Sequence, residues 1–206
     1  MKIIILVILG TACIIFLVCA DYGISGHGQI IYTQEDLAVP LYGQQTHTWC
    51  WAATGQMIME YHGTSVSQCA QANDQLNRTD CCDLATCPVA NLFHDCIATG
   101  WPRFALYGFT FKHTPGRTPL SWHDITEQIE AENRLPFAFQ WHYDGGGSHW
   151  MVAKGIAYGH DENFLIVNDP LPVCRGDVYF ITYDDYAGIS GSHDHVVSFY
   201  NISGGN

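Results

Sequence analysis

An α+β protein is predicted, with helices in the first half of the chain and antiparallel strands in the second. Three observations predict it. Residues Trp51, Thr54, Met57, Ile58 and Tyr61 recur at three- and four-residue steps, and Trp122, Ile125 and Ile129 repeat the pattern further on. Beyond Leu135-Pro136 the pattern changes to short runs rich in β-branched and aromatic residues, separated by Gly, Asn, Asp and Pro. There is no internal repeat or low-complexity tract, and 206 residues suffice for one domain with a real core, or at most two small lobes.

The chain opens with Lys2 and an apolar run, Ile3–Cys19, that ends in Val18-Cys19-Ala20. A basic start, an apolar stretch and a small residue describe an export signal cleaved after Ala20. The run is also nearly long enough to remain as a membrane anchor. The residues before Cys13 and Cys19 fit a lipidation box poorly. The expected organisation is therefore a signal over 1–20 and one domain over 21–206, with a helical lobe over about 44–133 and a β lobe over about 134–206. The mature protein is expected to be secreted or periplasmic and, once the signal is removed, off the membrane.

Residues 21–43 read as an extended lead-in ending in Leu37-Ala38-Val39-Pro40-Leu41. The first helix covers the periodic residues to Tyr61, with His62-Gly63 as its stop. Ser65–Thr86 is read as a polar, cysteine-dense loop. A second helix is expected from Pro88 through Ile97, with Val89, Leu92, Phe93 and Cys96 on its apolar face and Gly100 beyond its end. Trp101–Pro119 reads as irregular around a strand at Phe109–Phe111. A third helix starts at Ser121, whose spacing to Asp124 resembles a capping box, and closes at Leu135-Pro136. Strands follow at Phe137–Trp141, His149–Tyr158, Phe164–Val167, Val178–Tyr183 and Val196–Ile202.

Export changes how the cysteines are read. Of nine, the signal would remove Cys13 and Cys19, leaving Cys50, Cys69, Cys81, Cys82, Cys87, Cys96 and Cys174. An odd cysteine in a secreted domain is a candidate reactive thiol, with the other six available for three disulfides of undetermined pairing. The balance of 20 acidic against 8 basic residues and the lack of a basic patch argue against nucleic-acid binding. Asn77-Arg78-Thr79 and Asn201-Ile202-Ser203 are glycosylation sequons, meaningful only in a eukaryotic secretory host.

Cys50 lies between two tryptophans at or just before the first helical turn. Unpaired backbone N–H groups and the positive end of the helix dipole favour a negative sulfur there, the nucleophilic form of cysteine. Gln44, six residues upstream, offers an amide that can donate to an oxyanion. A nucleophilic cysteine needs a base. His149 opens a strand directly after Gly145-Gly146-Gly147-Ser148, at a rigid edge that substrate can approach. Asp169 ends the next strand, and antiparallel pairing would set it beside His149 to orient the imidazole. Asn168 could do the same, but alternation lets only one of the two reach, and the carboxylate also stabilises imidazolium. His47 is the competing base, with His142 and His123 behind it.

The blocks Gln44-xxxxx-Cys50-Trp51-Ala52-Ala53, Gly-Gly-Gly-Ser148-His149-Trp-Met-Val and Ile-Val-Asn168-Asp169-Pro resemble the papain-like cysteine peptidases over roughly residues 37–170. They are most similar to the bacterial branch containing the AvrRpt-type effector peptidases and the bacteriocin-leader-cleaving peptidases. The resemblance implies a helical lobe whose central helix carries the cysteine, against an antiparallel β lobe. It implies Cys50 as nucleophile, His149 as base, Asp169 as orienting acid and Gln44 as oxyanion donor. The implied reaction is hydrolysis of a protein or peptide substrate through a thioacyl-enzyme, with neither cofactor nor metal. Three features depart from the family pattern: the cysteine-rich insert Ser65–Cys96, the export signal, and about 35 residues beyond Asp169. The absence of a pro-domain implies control by secretion or by substrate.

Other functions fit parts of the pattern. An acyltransferase or transglutaminase-like enzyme would use the same triad with another acceptor. A non-catalytic disulfide-stabilised binding module would leave Cys50 structural. A zinc site from Cys81, Cys82, Cys87, His94 and Cys96 lacks paired C-x-x-C units. Trp49, Trp51, Trp101, Trp122, Trp141 and Trp150 are expected mostly in the core, with Trp49, Trp51 and Trp150 also placed to wall a cleft, and Trp101–Pro119 and Leu171–Asp177 are expected to shape specificity. Substrate preference and oligomeric state are not encoded legibly.

Overall fold

The computed structural model describes residues 33–84, 87, 94–130, 132 and 134–204. The expected export signal, the start of the lead-in and residues 88–93 of the expected second helix lie outside these. No helix among the described residues is long and apolar enough to cross a membrane.

Strands β1 (Thr33–Asp36), β2 (Phe109–His113), β3 (Phe137–Tyr143), β4 (Ser148–Tyr158), β5 (Asn163–Asp169), β6 (Asp177–Thr182) and β7 (His193–Gly204) form one antiparallel sheet in the order β2-β7-β3-β4-β5-β6. The lead-in supplies β1, which pairs with the far end of β4 from Thr33↔Tyr158 to Asp36↔Gly155. Leu37 N–H continues that pairing onto Lys154 O at 2.9 Å, and the Lys154 ammonium meets the Asp36 carboxylate. Two strands from the half read as helical therefore belong to the sheet.

Helix α1 (Cys50–Tyr61) packs against β4 and β3 and is the centre of the core. It is buried almost all round, because the sheet covers one side and helix α2 (Gln68–Leu76) another. Its end is as expected: His62 caps it, and Gly63 turns the chain at φ +86°. Trp49 and Trp51 are part of this core. Their indole N–H groups donate to Cys96 O at 2.7 Å and Ala98 O at 3.2 Å. Trp49, Trp51 and Trp150 are all at most 1 % exposed, so they are core residues, as the tryptophans were mostly expected to be, and do not wall a cleft.

Helix α2 lies inside the stretch expected to be a loop. Ser67 caps its start by accepting Ala70 N–H at 3.3 Å, and Asn77 ends it in the left-handed region at φ 52°. Among the described residues of the insert beyond α2, Cys81–Leu84 form a 3₁₀ turn. The described part of the expected second helix, residues 94–97, is turn and irregular backbone. The two carbonyls given to the tryptophans and the Cys81–Cys96 disulfide fix that course.

Helix α3 (Trp122–Glu130) begins as expected. Ser121 Oγ donates to Asp124 Oδ2 at 2.6 Å, and Asp124 N–H returns to Ser121 Oγ at 3.1 Å. Ile125 and Ile129 are fully buried. Its helical backbone ends at Glu130, short of Leu135, and Arg134 turns at φ 45°. A short helical turn, α4 (Tyr183–Tyr186), was not expected. It buries Tyr186, whose hydroxyl accepts Leu120 N–H at 3.0 Å and bonds Ser198 Oγ at 2.7 Å.

Candidate active site

Cys50 is the first residue of α1, and Trp49 caps the helix without a side-chain bond. Among the described residues it is the one free cysteine. The other six pair as Cys69–Cys82, Cys81–Cys96 and Cys87–Cys174, which assigns the connectivity that spacing leaves open. With these pairs formed, Cys81, Cys82, Cys87 and Cys96 offer no thiolate to a zinc ion.

His149 sits one residue into β4, and Gly146 and Gly147 take φ near +90° in the hairpin before it. Its Nε2 meets Asp169 Oδ1 at 2.6 Å. Cys50 lies close enough to favour the charged imidazole, and with Nε2 committed to the carboxylate, Nδ1 is the nitrogen left to face the sulfur. Burial works against a charged imidazole here. The bond to Asp169 and the nearby Cys50 outweigh burial and raise the His149 pKa to about 9.

Strand register explains the meeting of His149 with Asp169. Asn168 pairs with Val152 across β4 and β5, so the next step along sets Asp169 toward the His149 end of β4. Alternation sends Asn168 the other way. Its amide donates to Val39 O at 3.3 Å and Pro40 O at 3.1 Å and tethers the lead-in. Asp169 accepts three bonds: from His149, from Leu171 N–H at 2.7 Å, and from the Tyr179 hydroxyl at 2.9 Å. Burial pushes its pKa up, but these bonds outweigh that and hold it below the ordinary carboxylate value.

Tyr179 and Leu171 are contacts that sequence reasoning did not find. Tyr179 pairs with Val167 in the β5–β6 ladder, two positions from the Asp169↔Asp177 pair, on the diagonal that same-face side chains use. The signal exists only once the register of β6 is known.

Gln44 is 1 % exposed. Its amide Nε2 donates to Thr46 O at 2.7 Å, the carbonyl that also accepts Trp49 N–H at 3.4 Å. That ties the side chain to the turn delivering Cys50. Its backbone is held on both edges, N–H to Pro170 O and C=O from Cys174 N–H, each at 2.9 Å. The competing bases stand elsewhere: His47 and His123 are exposed, and His142 bonds Ser148.

A cysteine opening a buried central helix, facing a histidine and an acid on an antiparallel sheet, is the arrangement of a papain-like cysteine peptidase. The chain belongs to the Peptidase_C39 like family, whose model matches residues 36–192, about three quarters of the sequence. Its fold is similar to that in a structural study of the mite allergens Blo t 1 and Der p 1. That match has a TM-score of 0.53 and 12 % identity, and covers 81 % of this chain and 70 % of that one. It also matches the peptidase domain of Streptococcus ComA, a bifunctional ABC transporter of a quorum-sensing pathway. There the TM-score is 0.44 and the identity 15 %, over 80 % of this chain and 98 % of that one. No curated protein sequence matches the chain.

Proposed function

We propose that this cysteine peptidase hydrolyses peptide bonds of a protein or peptide substrate outside the cytoplasm, with Cys50 as nucleophile, His149 as acid and base, Asp169 as orienting acid and Gln44 as oxyanion donor. The observation that carries it is the buried His149–Asp169 pair at 2.6 Å, with the free Cys50 at the start of α1 close enough to favour the charged imidazole. Three disulfides suit an oxidising compartment, in keeping with an export signal over 1–20 and a single catalytic domain over 21–206.

In the reaction the Cys50 sulfur attacks the substrate carbonyl carbon, and a C–S bond forms as the carbonyl electrons move to oxygen. The Gln44 amide and the Cys50 N–H donate to that oxygen, an effect worth about 3 kcal/mol per donor. When the C–N bond breaks, His149 gives its proton to the leaving amine. Neutral His149 then takes a proton from water. The resulting hydroxide displaces the sulfur, releasing the acid and restoring the Cys50–His149 pair. Asp169 keeps the imidazole in one orientation throughout.

The test is iodoacetamide or epoxide labelling of the folded, non-reduced protein, mapped by peptide mass spectrometry, beside cleavage of a denatured protein substrate. One equivalent on Cys50, slowed strongly in His149→Ala, together with hydrolysis lost in Cys50→Ala, is expected. An unlabelled Cys50, or cleavage that survives Cys50→Ala, overturns the reading.

A further inference from the structure

The cysteine-rich insert has a place in this site. Gln68, the first residue of α2, is 2 % exposed and makes two hydrogen bonds that straddle Gln44. Its Nε2 donates to Gly43 O at 3.0 Å, and its Oε1 accepts Gln45 N–H at 2.8 Å. A side-chain amide thus pairs with the backbone on either side of Gln44 as a neighbouring strand would. One turn on, Gln71 donates from Nε2 to Ala52 O at 2.8 Å, two residues after Cys50. It packs so closely on α1 that a Cβ on Gly55 would lie 2.3 Å from Gln71 Oε1. The same short helix therefore grips the Gln44 segment with one glutamine and the Cys50 helix with another.

We propose that Gln68 is a positioning residue for oxyanion stabilisation, setting the Gln44 amide at a fixed distance from the Cys50 N–H, with α2 as the bracket between them. The inference rests on Gln44 and Cys50 acting as proposed above. Cys69, next in sequence, is disulfide-bonded to Cys82, and Cys174, whose N–H holds Gln44 O, is disulfide-bonded to Cys87. Two of the three disulfides thus brace the backbone around one side chain. Oxyanion stabilisation acts in the transition state, so misplacing Gln44 lowers kcat while leaving substrate binding in place.

The test combines Gln68→Glu with Gln44→Ala in the full chain. The Glu variant keeps the side chain's size and the acceptor for Gln45, but removes the donor to Gly43. Expected is a fall in kcat of about tenfold or more, no greater than that of Gln44→Ala, with KM within about twofold. Added to Gln44→Ala, Gln68→Glu is expected to change kcat by less than about twofold, because the group it positions is gone. The iodoacetamide rate of Cys50, which involves no oxyanion, stays at the level of the unsubstituted protein. Equal losses from Gln68→Glu with and without Gln44, or a parallel loss of Cys50 labelling, overturn the proposal and leave Gln68 structural. A Gln44→Ala variant with unchanged kcat overturns it too, while normal labelling of Cys50 would show that the Cys50–His149 reading survives. Gln68→Met, similar in size and lacking both bonds, gives the same comparison should the Glu variant not fold, with the same results supporting or sinking the idea.

Discussion

His149 and Asp169 meet at 2.6 Å although 20 residues separate them, because a single β-hairpin folds the end of β5 back beside the start of β4. Both side chains are buried, and Leu171 N–H and the Tyr179 hydroxyl hold the carboxylate from its other sides. Asp169→Asn keeps the shape but removes the charge that favours imidazolium. We expect kcat/KM to fall by about 10²–10⁴-fold with little change in fold. Asn168→Ala, by contrast, is expected to leave kcat largely intact and to lower stability by about 1–3 kcal/mol, since it releases the lead-in. Kinetics of the two variants beside their denaturant midpoints separate these effects.

The pH dependence follows from the raised pKa of His149. A folded-state value of about 9 against an ordinary 6.5 means the imidazolium is kept to higher pH in the native protein. Its contribution to stability is full below 6.5 and is lost as pH rises through about 9. Activity that needs the imidazolium is expected to show an alkaline limb in the same window. In Asp169→Asn that limb moves to lower pH, because burial then acts with less opposition. A limb unmoved by the substitution would mean another group titrates there.

The residues of the proposed triad stood out in the sequence because each carries a local sign: a cysteine at a helix start, a histidine after a glycine hairpin, an acid at a strand end. Helix α2 was not legible, because its apolar face is only Cys69, Ala72 and Leu76, and it docks as much through the amides of Gln68 and Gln71 and a disulfide. Trp49 and Trp51 flank Cys50 in sequence, a place that also suggested a cleft beside the core reading. A helix buried almost all round sends its neighbours into the core as well, where their indoles bond Cys96 O and Ala98 O. Tyr179 depends on the register of two strands, which composition does not encode.

Tyr179 donates to the outer oxygen of Asp169, and burial is the main cause that raises its own pKa well above the usual tyrosine value, so it stays protonated and able to donate. Tyr179→Phe removes one hydrogen bond to a carboxylate, worth about 1.5–3 kcal/mol. The Asp169 pKa should rise, and the acid limb of kcat/KM should move to higher pH with a loss of about tenfold at neutral pH. A uniform loss of stability with an unchanged pH profile would reduce Tyr179 to packing.

The Cys81–Cys96 disulfide closes a loop of 15 residues and holds the carbonyl that Trp49 uses. Replacing both cysteines by serine is expected to cost about 3 kcal/mol, read from denaturant unfolding. Activity below the transition should persist, since neither residue bonds Cys50, His149, Asp169 or Gln44. An unstable but active variant confirms this bridge as a staple of the fold; a stable, inactive one would give it a direct part in the site.

Gly43 tests the other side of the Gln44 segment. A Cβ there would lie 2.2 Å from Arg175 N, 2.5 Å from Cys174 C and 2.7 Å from Gly176 N, all backbone atoms. No side chain can rotate to relieve such a clash, so Gly43→Ala must push the 174–176 turn outward or the Gln44 segment inward. Either movement strains the bond from Cys174 N–H to Gln44 O and displaces the amide by a fraction of an ångström or more. A shift of about 1 Å at a positioned catalytic group costs up to about 10²-fold, so a loss of that order in kcat is expected. Cys50 should still label at its normal rate, because His149 and Asp169 approach from the opposite strands. A variant with full kcat would show that the turn yields without moving Gln44. A variant that loses labelling together with kcat would show that the segment supports Cys50 itself.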